Sequence, residues 1–175
     1  MADNMELEKR LRRIEDWIEI QTLMGKYRDY SDSFDFEGFC SLFTEDALFD
    51  QRGTPFAMMK GRRKIFDTAT AQIIGNWDAT QHSMINVQVD IDGDKATGSG
   101  ECVYVAVPKG APKTHYFQAF NHYDFEFVRT GEGWRISQII GQPLADNGGG
   151  DWSKVFGQQD NITALNQAVS PKATP

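Results

Sequence analysis

The sequence predicts an α+β fold, and three observations carry that prediction. Apolar residues in the first part of the chain recur at spacings of three and four; the second half changes to alternation and short apolar runs; and the joints Asp92-Gly93, PKGAPK and Thr130-Gly131 are turn sequences. Four consecutive strands after helices imply an antiparallel sheet covered by those helices. At 175 residues the chain is long enough to bury one core without staples.

From about Leu7 to Tyr30, the residues Trp17, Ile20, Leu23, Met24, Tyr27 and Tyr30 form one apolar helix face, with Glu8, Arg12, Glu15, Glu19 and Lys26 opposite. Ser31-Asp32-Ser33 ends this helix, because these side chains compete for backbone hydrogen bonds. Asp35 is an N-cap for a second, short helix ending near Thr44, and Phe34 is placed to staple onto Phe39. Ala47–Asp50 and Phe56–Met59 flank QRGTP as a small hairpin. A third helix follows from Arg62 to about Ile74, with Gly75 as its stop. Strands are predicted over Ile85–Ile91, Ala96–Val107, His115–Val128 and Trp134–Ile140. The division is a domain over 1–142 and a mobile C-terminal extension over 143–175, rich in Gly, Asn and Gln. In that extension Gly148–Gly150 offer a hinge, and Trp152, Val155 and Phe156 form an apolar patch. Either the patch closes a pocket mouth or the end is inert.

Composition narrows the function. A net charge of −7 argues against a phosphate-binding surface, so no nucleic-acid partner is expected, and the run Lys60, Arg62, Arg63, Lys64 reads as a solvated helix face. The N-terminus has no apolar signal core and no run approaches a membrane span, which predicts a cytoplasmic protein with no membrane partner. Cys40 and Cys102 read as buried reduced thiols, and the spacing of His82, His115 and His122 matches no metal motif, so no metal is expected.

The most complete chemical constellation joins Tyr27 and Asp32 to His82. A neutral imidazole held by a carboxylate is a general base suited to neutral pH, because the carboxylate fixes the tautomer and supports the imidazolium that forms. A buried Tyr hydroxyl donates to a developing oxyanion or a leaving group. Each residue also has a plain structural reading: Asp32 paired with Arg28 or capping its own turn, Tyr27 as a core aromatic, His82 as a satisfied core histidine. Tyr27 and Asp32 lie five residues apart, about 140° round a regular helix, so their convergence calls for the helix to unwind at Ser31.

Three local patterns tie these residues to a family. They are IxxLxxxYxxxxD as Ile20, Leu23, Tyr27 and Asp32; HxxxN as His82 and Asn86; and YDFEFVRTGEGWRI from Tyr123 to Ile136. Their order resembles the SnoaL-like group of the NTF2-like superfamily, over about Ile14 to Gln142. The resemblance implies a cone-shaped curved antiparallel sheet closed by N-terminal helices around a deep pocket. In similar dehydratases, dehydrohalogenases and bile-acid dehydratases the Asp and His positions form a catalytic dyad, joined in some by the Tyr. Phe125 stands where related isomerases often carry a carboxylate, which makes them a poorer match.

On that basis the expected activity is a cofactor-free lyase acting on a mainly apolar, aromatic or polycyclic hydroxylated small molecule. Catalysis falls to His82, Asp32 and Tyr27, with Tyr104, Asn121 and His115 as substrate-binding residues; if Tyr123, Phe125 and Phe127 face inward, alternation turns Asn121 and His115 inward too. Dehydration comes first, with retro-aldol cleavage and dehydrohalogenation open to the same base. The alternatives are an isomerase of the ketosteroid-isomerase type and a non-catalytic binding module. A homo-oligomer is expected, a trimer ahead of a dimer, because the outer sheet face around Val103, Val105 and Val107 needs cover.

Overall fold

The computed structural model describes residues 2–52, 58–73 and 76–147. Helix α1 (Ala2–Asp32) is followed directly by α2 (Phe36–Ser41), and strand β1 (Phe43–Gln51) pairs with the short β2 (Met59–Lys60) as the predicted hairpin. After α3 (Arg62–Ile73) come four long strands, β3 (Trp77–Asp92), β4 (Lys95–Pro108), β5 (Phe117–Thr130) and β6 (Gly133–Asp146). Gly75 and the extension with Trp152, Val155 and Phe156 lie outside the described residues.

The strands form one six-stranded sheet in the order β2-β1-β6-β5-β4-β3. Its last four strands are the expected antiparallel meander, but β1 runs parallel to β6, so the sheet is mixed and not wholly antiparallel. Strand alternation reports which face a residue takes and not which strand lies beside it, so local pattern carries no sign of this pairing. Register shifts at Ile85/Gln88, Phe120/Asn121 and Glu126/Phe127 bend the strands. The bend brings one face round the core formed by Phe117, Phe125, Phe127, Trp134, Ile136 and Ile139. β3 begins at Trp77, well before the predicted start, so His82 sits inside a strand and not at its head. β6 continues past Ile140 because Gln142, Pro143 and Asp146 pair with His122, Asn121 and Ala119.

α1 lies against this sheet along Ile20, Leu23, Met24 and Tyr27, all buried as predicted. Trp17 departs from the prediction and is 48% exposed, while its neighbour Asp16 is buried. The reason is an anchor at the β5–β6 turn. Asp16 pairs with Arg129 and accepts from Trp134 Nε1 at 3.3 Å, Glu19 accepts from the Trp134 backbone N–H at 3.1 Å, and the Arg129 guanidinium covers the Trp134 ring at 4.6 Å. With Asp16 turned inward, Trp17 points about 100° away. Gly133, at φ +98, is part of the same anchor, since a Cβ there would lie 2.3 Å from Glu19 Oε1. The motif RTGEGW is thus a clasp for the helix.

The two arginines of the basic run are engaged locally. Arg62 reaches Glu45 at 2.9 Å and the Phe43 carbonyl at 2.7 Å, and Arg63 pairs with Asp67 at 2.9 Å. Cys40 and Cys102 are free and buried, and burial raises their thiols to about 11 and about 12. No described helix is long and apolar enough to cross a membrane.

Candidate active site

Asp32 is the last residue of α1, and the helix stays hydrogen-bonded through it, with Ser33 N–H donating to the Asp29 carbonyl at 3.0 Å. The predicted unwinding at Ser31 does not occur. The chain turns one step later, where Phe34 takes φ 61° and Asp35 N–H returns to the Tyr30 carbonyl at 3.0 Å. Asp35 then caps α2 by accepting from Gly38 N–H at 2.8 Å, while Phe34 stacks on Phe36. Tyr27 and Asp32 meet at a common site because β3 runs beside α1 and inserts His82 between them, an arrangement only the tertiary fold supplies.

The Asp32 carboxylate is heavily engaged by β3. It accepts the His82 backbone N–H at 2.9 and 3.1 Å, the Thr80 hydroxyl at 3.2 Å, and pairs with His82 Nδ1 at 2.7 Å. An ionised carboxylate only accepts, so Nδ1 is the donor in this pair, and in the neutral imidazole Nε2 is then a lone-pair acceptor. The pair is largely screened from water, the side chains being 16% and 20% exposed. Asp32 sits behind the ring, on the outer side between α1 and β3, while His82 lines the inner cavity. Arg28, the alternative partner for Asp32, pairs with Asp29 instead.

Two phenols flank the imidazole. The Tyr27 ring meets His82 edge-on at 6.2 Å between centroids, and the Tyr104 ring lies 4.7 Å from it. Burial pushes both hydroxyls far above the usual tyrosine range, and the Asp32 and Cys102 groups push the same way. Both therefore stay protonated, each with a proton to donate. Behind them the cavity continues past Asn121 and Tyr123, with Ser31 at the α1 side and Phe36, Phe39 and Phe49 among the apolar walls.

Of the predicted substrate-binding residues, Tyr104 and Asn121 line this cavity, and Asn121 is 4% exposed. His115 does not line it. Its strand begins only at Phe117, and His115 closes a turn to the Pro112 carbonyl at 2.8 Å, so the alternation that places Asn121 inward does not extend to it. Sequence reading missed Thr80 and Gln51. Thr80 had a signal, since it lies two residues before His82 on the same strand face. Gln51 had none, because it reaches the cavity through the β1–β6 pairing. Asn86, part of the HxxxN pattern, sits at φ 53° beside the Ile85/Gln88 register shift, a backbone role that Asn tolerates well.

A helix laid across a bent sheet, with an imidazole and a carboxylate paired at the wall of an apolar cavity, defines an NTF2-like protein. Within that class the chain belongs to the SnoaL-like domain family, whose model matches residues 12–139. It is 33% identical over 127 residues, 73% of this chain and 84% of the relative, to an uncharacterized protein of Mycobacterium tuberculosis. Among solved structures it resembles an NTF2-like protein with a cystatin-like fold from Novosphingobium aromaticivorans, at 27% identity and TM-score 0.69, covering 94% of this chain and 97% of that one. A type 2 hexachlorocyclohexane dehydrochlorinase matches with TM-score 0.70 over 78% of this chain and 90% of that one; at 19% identity this likeness is one of fold.

Proposed function

We propose that the protein is a lyase that removes a proton with His82 and expels a leaving group from a mainly apolar, aromatic or polycyclic hydroxylated small molecule. The observation that carries this reading is the Asp32–His82 pair at 2.7 Å on a residue that lines the cavity, with Nε2 meeting no partner among the described residues. A core histidine needs only one satisfied nitrogen, and a binding module has no use for a carboxylate fixed by a backbone N–H, a hydroxyl and an imidazole together.

In the proposed reaction His82 Nε2 takes a proton from a carbon next to a carbonyl, and the electron pair moves to the carbonyl oxygen. Tyr27 and Tyr104 donate to that oxygen as charge develops, in a site where few waters compete. Collapse of the enolate forms the carbon–carbon double bond and breaks the bond to the leaving hydroxyl. That hydroxyl takes the proton back from the imidazolium and departs as water. Asp32 stabilises the imidazolium between the two steps. General acid–base help of this kind contributes roughly 10²- to 10⁴-fold, enough for a proton already acidified by a carbonyl or phenol, and no cofactor is invoked. Loss of hydrogen halide or of formaldehyde starts from the same base. The dehydrochlorinase of similar fold supports elimination as the class, and the absence of a carboxylate at Phe125 disfavours the isomerase.

The test is a library of neutral aromatic and alicyclic β-hydroxy and β-halo carbonyl compounds incubated with the protein and read by mass spectrometry for loss of water, formaldehyde or hydrogen halide. Turnover by the wild type and none by His82→Ala is the expected result. A product made equally well by His82→Ala, or an isomer of unchanged mass as the only product, defeats the lyase reading.

A further inference from the structure

Tyr123, Gly141 and Gln51 are consecutive partners in one row across three strands, Tyr123 facing Gly141 on β6 and Gly141 facing Gln51 on β1. The middle member has no side chain, so the outer two, some 10 Å apart at the backbone, meet over it. Gln51 Nε2 donates to the Tyr123 hydroxyl at 2.7 Å. A Cβ at position 141 would lie 2.9 Å from Tyr123 Cε1 and 3.5 Å from Gln51 Cδ, so the glycine is what gives this pair its room.

The Tyr123 hydroxyl accepts from Gln51, and its own proton meets no acceptor among the described residues. The ring is 3% exposed and lines the same cavity as His82. A phenol this deeply buried ordinarily finds a partner for its proton. Along β5, Tyr123 lies four residues beyond Ala119, which shares the cross-strand row of His82 and Tyr104. That is at most about 13 Å, because the strand bends at the Phe120/Asn121 register shift, with the Asn121 amide midway. Between the two ends the cavity wall holds no Lys, Arg, Asp or Glu among the described residues.

We propose that Tyr123, held by Gln51 over Gly141, is a second binding station that donates to an acceptor oxygen at the far end of an uncharged, two-ring-long substrate. This deepens the reading of the cavity as the substrate site and rests on it. A carboxylate at that end meets no cation, and desolvating it without one is costly, so the station selects a hydroxyl or carbonyl oxygen and rejects the acid.

The probes are 2-naphthol, 2,6-dihydroxynaphthalene and 6-hydroxy-2-naphthoate, with affinity measured by calorimetry on the full chain. The wild type is expected to bind the diol about tenfold more tightly than the mono-ol and the acid at least about tenfold more weakly than the diol. Tyr123→Phe is expected to bind diol and mono-ol alike, and Gly141→Ala, which leaves both polar groups in place but crowds them, is expected to do the same. Circular dichroism identifies a variant that fails to fold, and the wild-type preference for diol over mono-ol and over acid then decides alone. Equal affinities in the wild type, no binding of any probe, or a diol preference surviving in folded Tyr123→Phe overturns the station. The two readings are separated without touching His82: a wild type that turns over nothing in the library screen but still prefers the diol loses the elimination reading and keeps the station.

Discussion

In the proposed reaction the two ring nitrogens of His82 divide the work, Nδ1 tied to Asp32 and Nε2 acting as the base. Replacing His82 by Ala is expected to abolish turnover. Asp32→Asn should lower kcat by at least about 10²-fold with the fold intact, because the amide presents an N–H where the imidazole needs an acceptor. Thr80→Val should cost less, about threefold to tenfold, since it removes one of several hydrogen bonds to the carboxylate. Steady-state kinetics on a substrate found in the library screen, with circular dichroism as the control for folding, checks all three. The ordering is the informative part, because a purely structural role for Asp32 would lower thermal stability in step with activity.

Among the elements, α1 has two unlike halves. From Asp16 onward it is clasped to the sheet, and Asp16→Ala should cost about 2 kcal/mol and lower Tm by roughly 6 °C, measured by thermal melting, because Arg129 and the Trp134 indole each lose a partner. Toward the N-terminus the same helix leaves Leu7, Leu11, Ile14 and Ile18 about half exposed. Their 4-3-4 spacing is that of helices that pair with helices. A second copy of the chain is the expected cover, and light scattering should give a mass above the 19.8 kDa of one chain. Leu11→Glu combined with Ile14→Glu should lower that mass, whereas a wild type already at the monomer mass removes the oligomer. The outer sheet face, where Phe120 is 44% exposed beside Val103, is a second surface on which a trimer could close.

At the scale of the whole molecule, three buried phenols gather round one cavity, and all of them are raised above the ordinary tyrosine value of 10.0, chiefly by burial. In the unfolded chain each ionises near that value, while in the folded chain each keeps its proton. Above it the folded state binds more protons than the unfolded one, so stability falls as pH rises. Below it both states are protonated and the contribution is constant. Thermal melting should therefore be insensitive to these groups from pH 7 to about 9 and decline steeply above about 10, with a shallower decline in Tyr104→Phe.

The chain's own periodicities determined a good deal. Apolar spacing placed the buried face of α1 from Ile20 to Tyr27, Asp35 announced the start of α2, and alternation along β5 turned Asn121, Tyr123, Phe125 and Phe127 to one face, because these are consequences of 3.6-residue and two-residue repeats that act locally. Residue chemistry singled out Asp32 and His82 as partners but left the plain structural readings open, and the resemblance tipped the balance. What the tertiary structure alone decided concerns which elements lie side by side. β1 joins β6 in parallel and so brings Gln51 to Tyr123; β3 starts early enough to thread His82 between Tyr27 and Asp32; Arg129 pulls Asp16 inward and leaves Trp17 outside; and a turn at Pro112 removes His115 from the cavity. Each of these is a long-range contact chosen by the packing of the whole core, and local pattern carries no record of it.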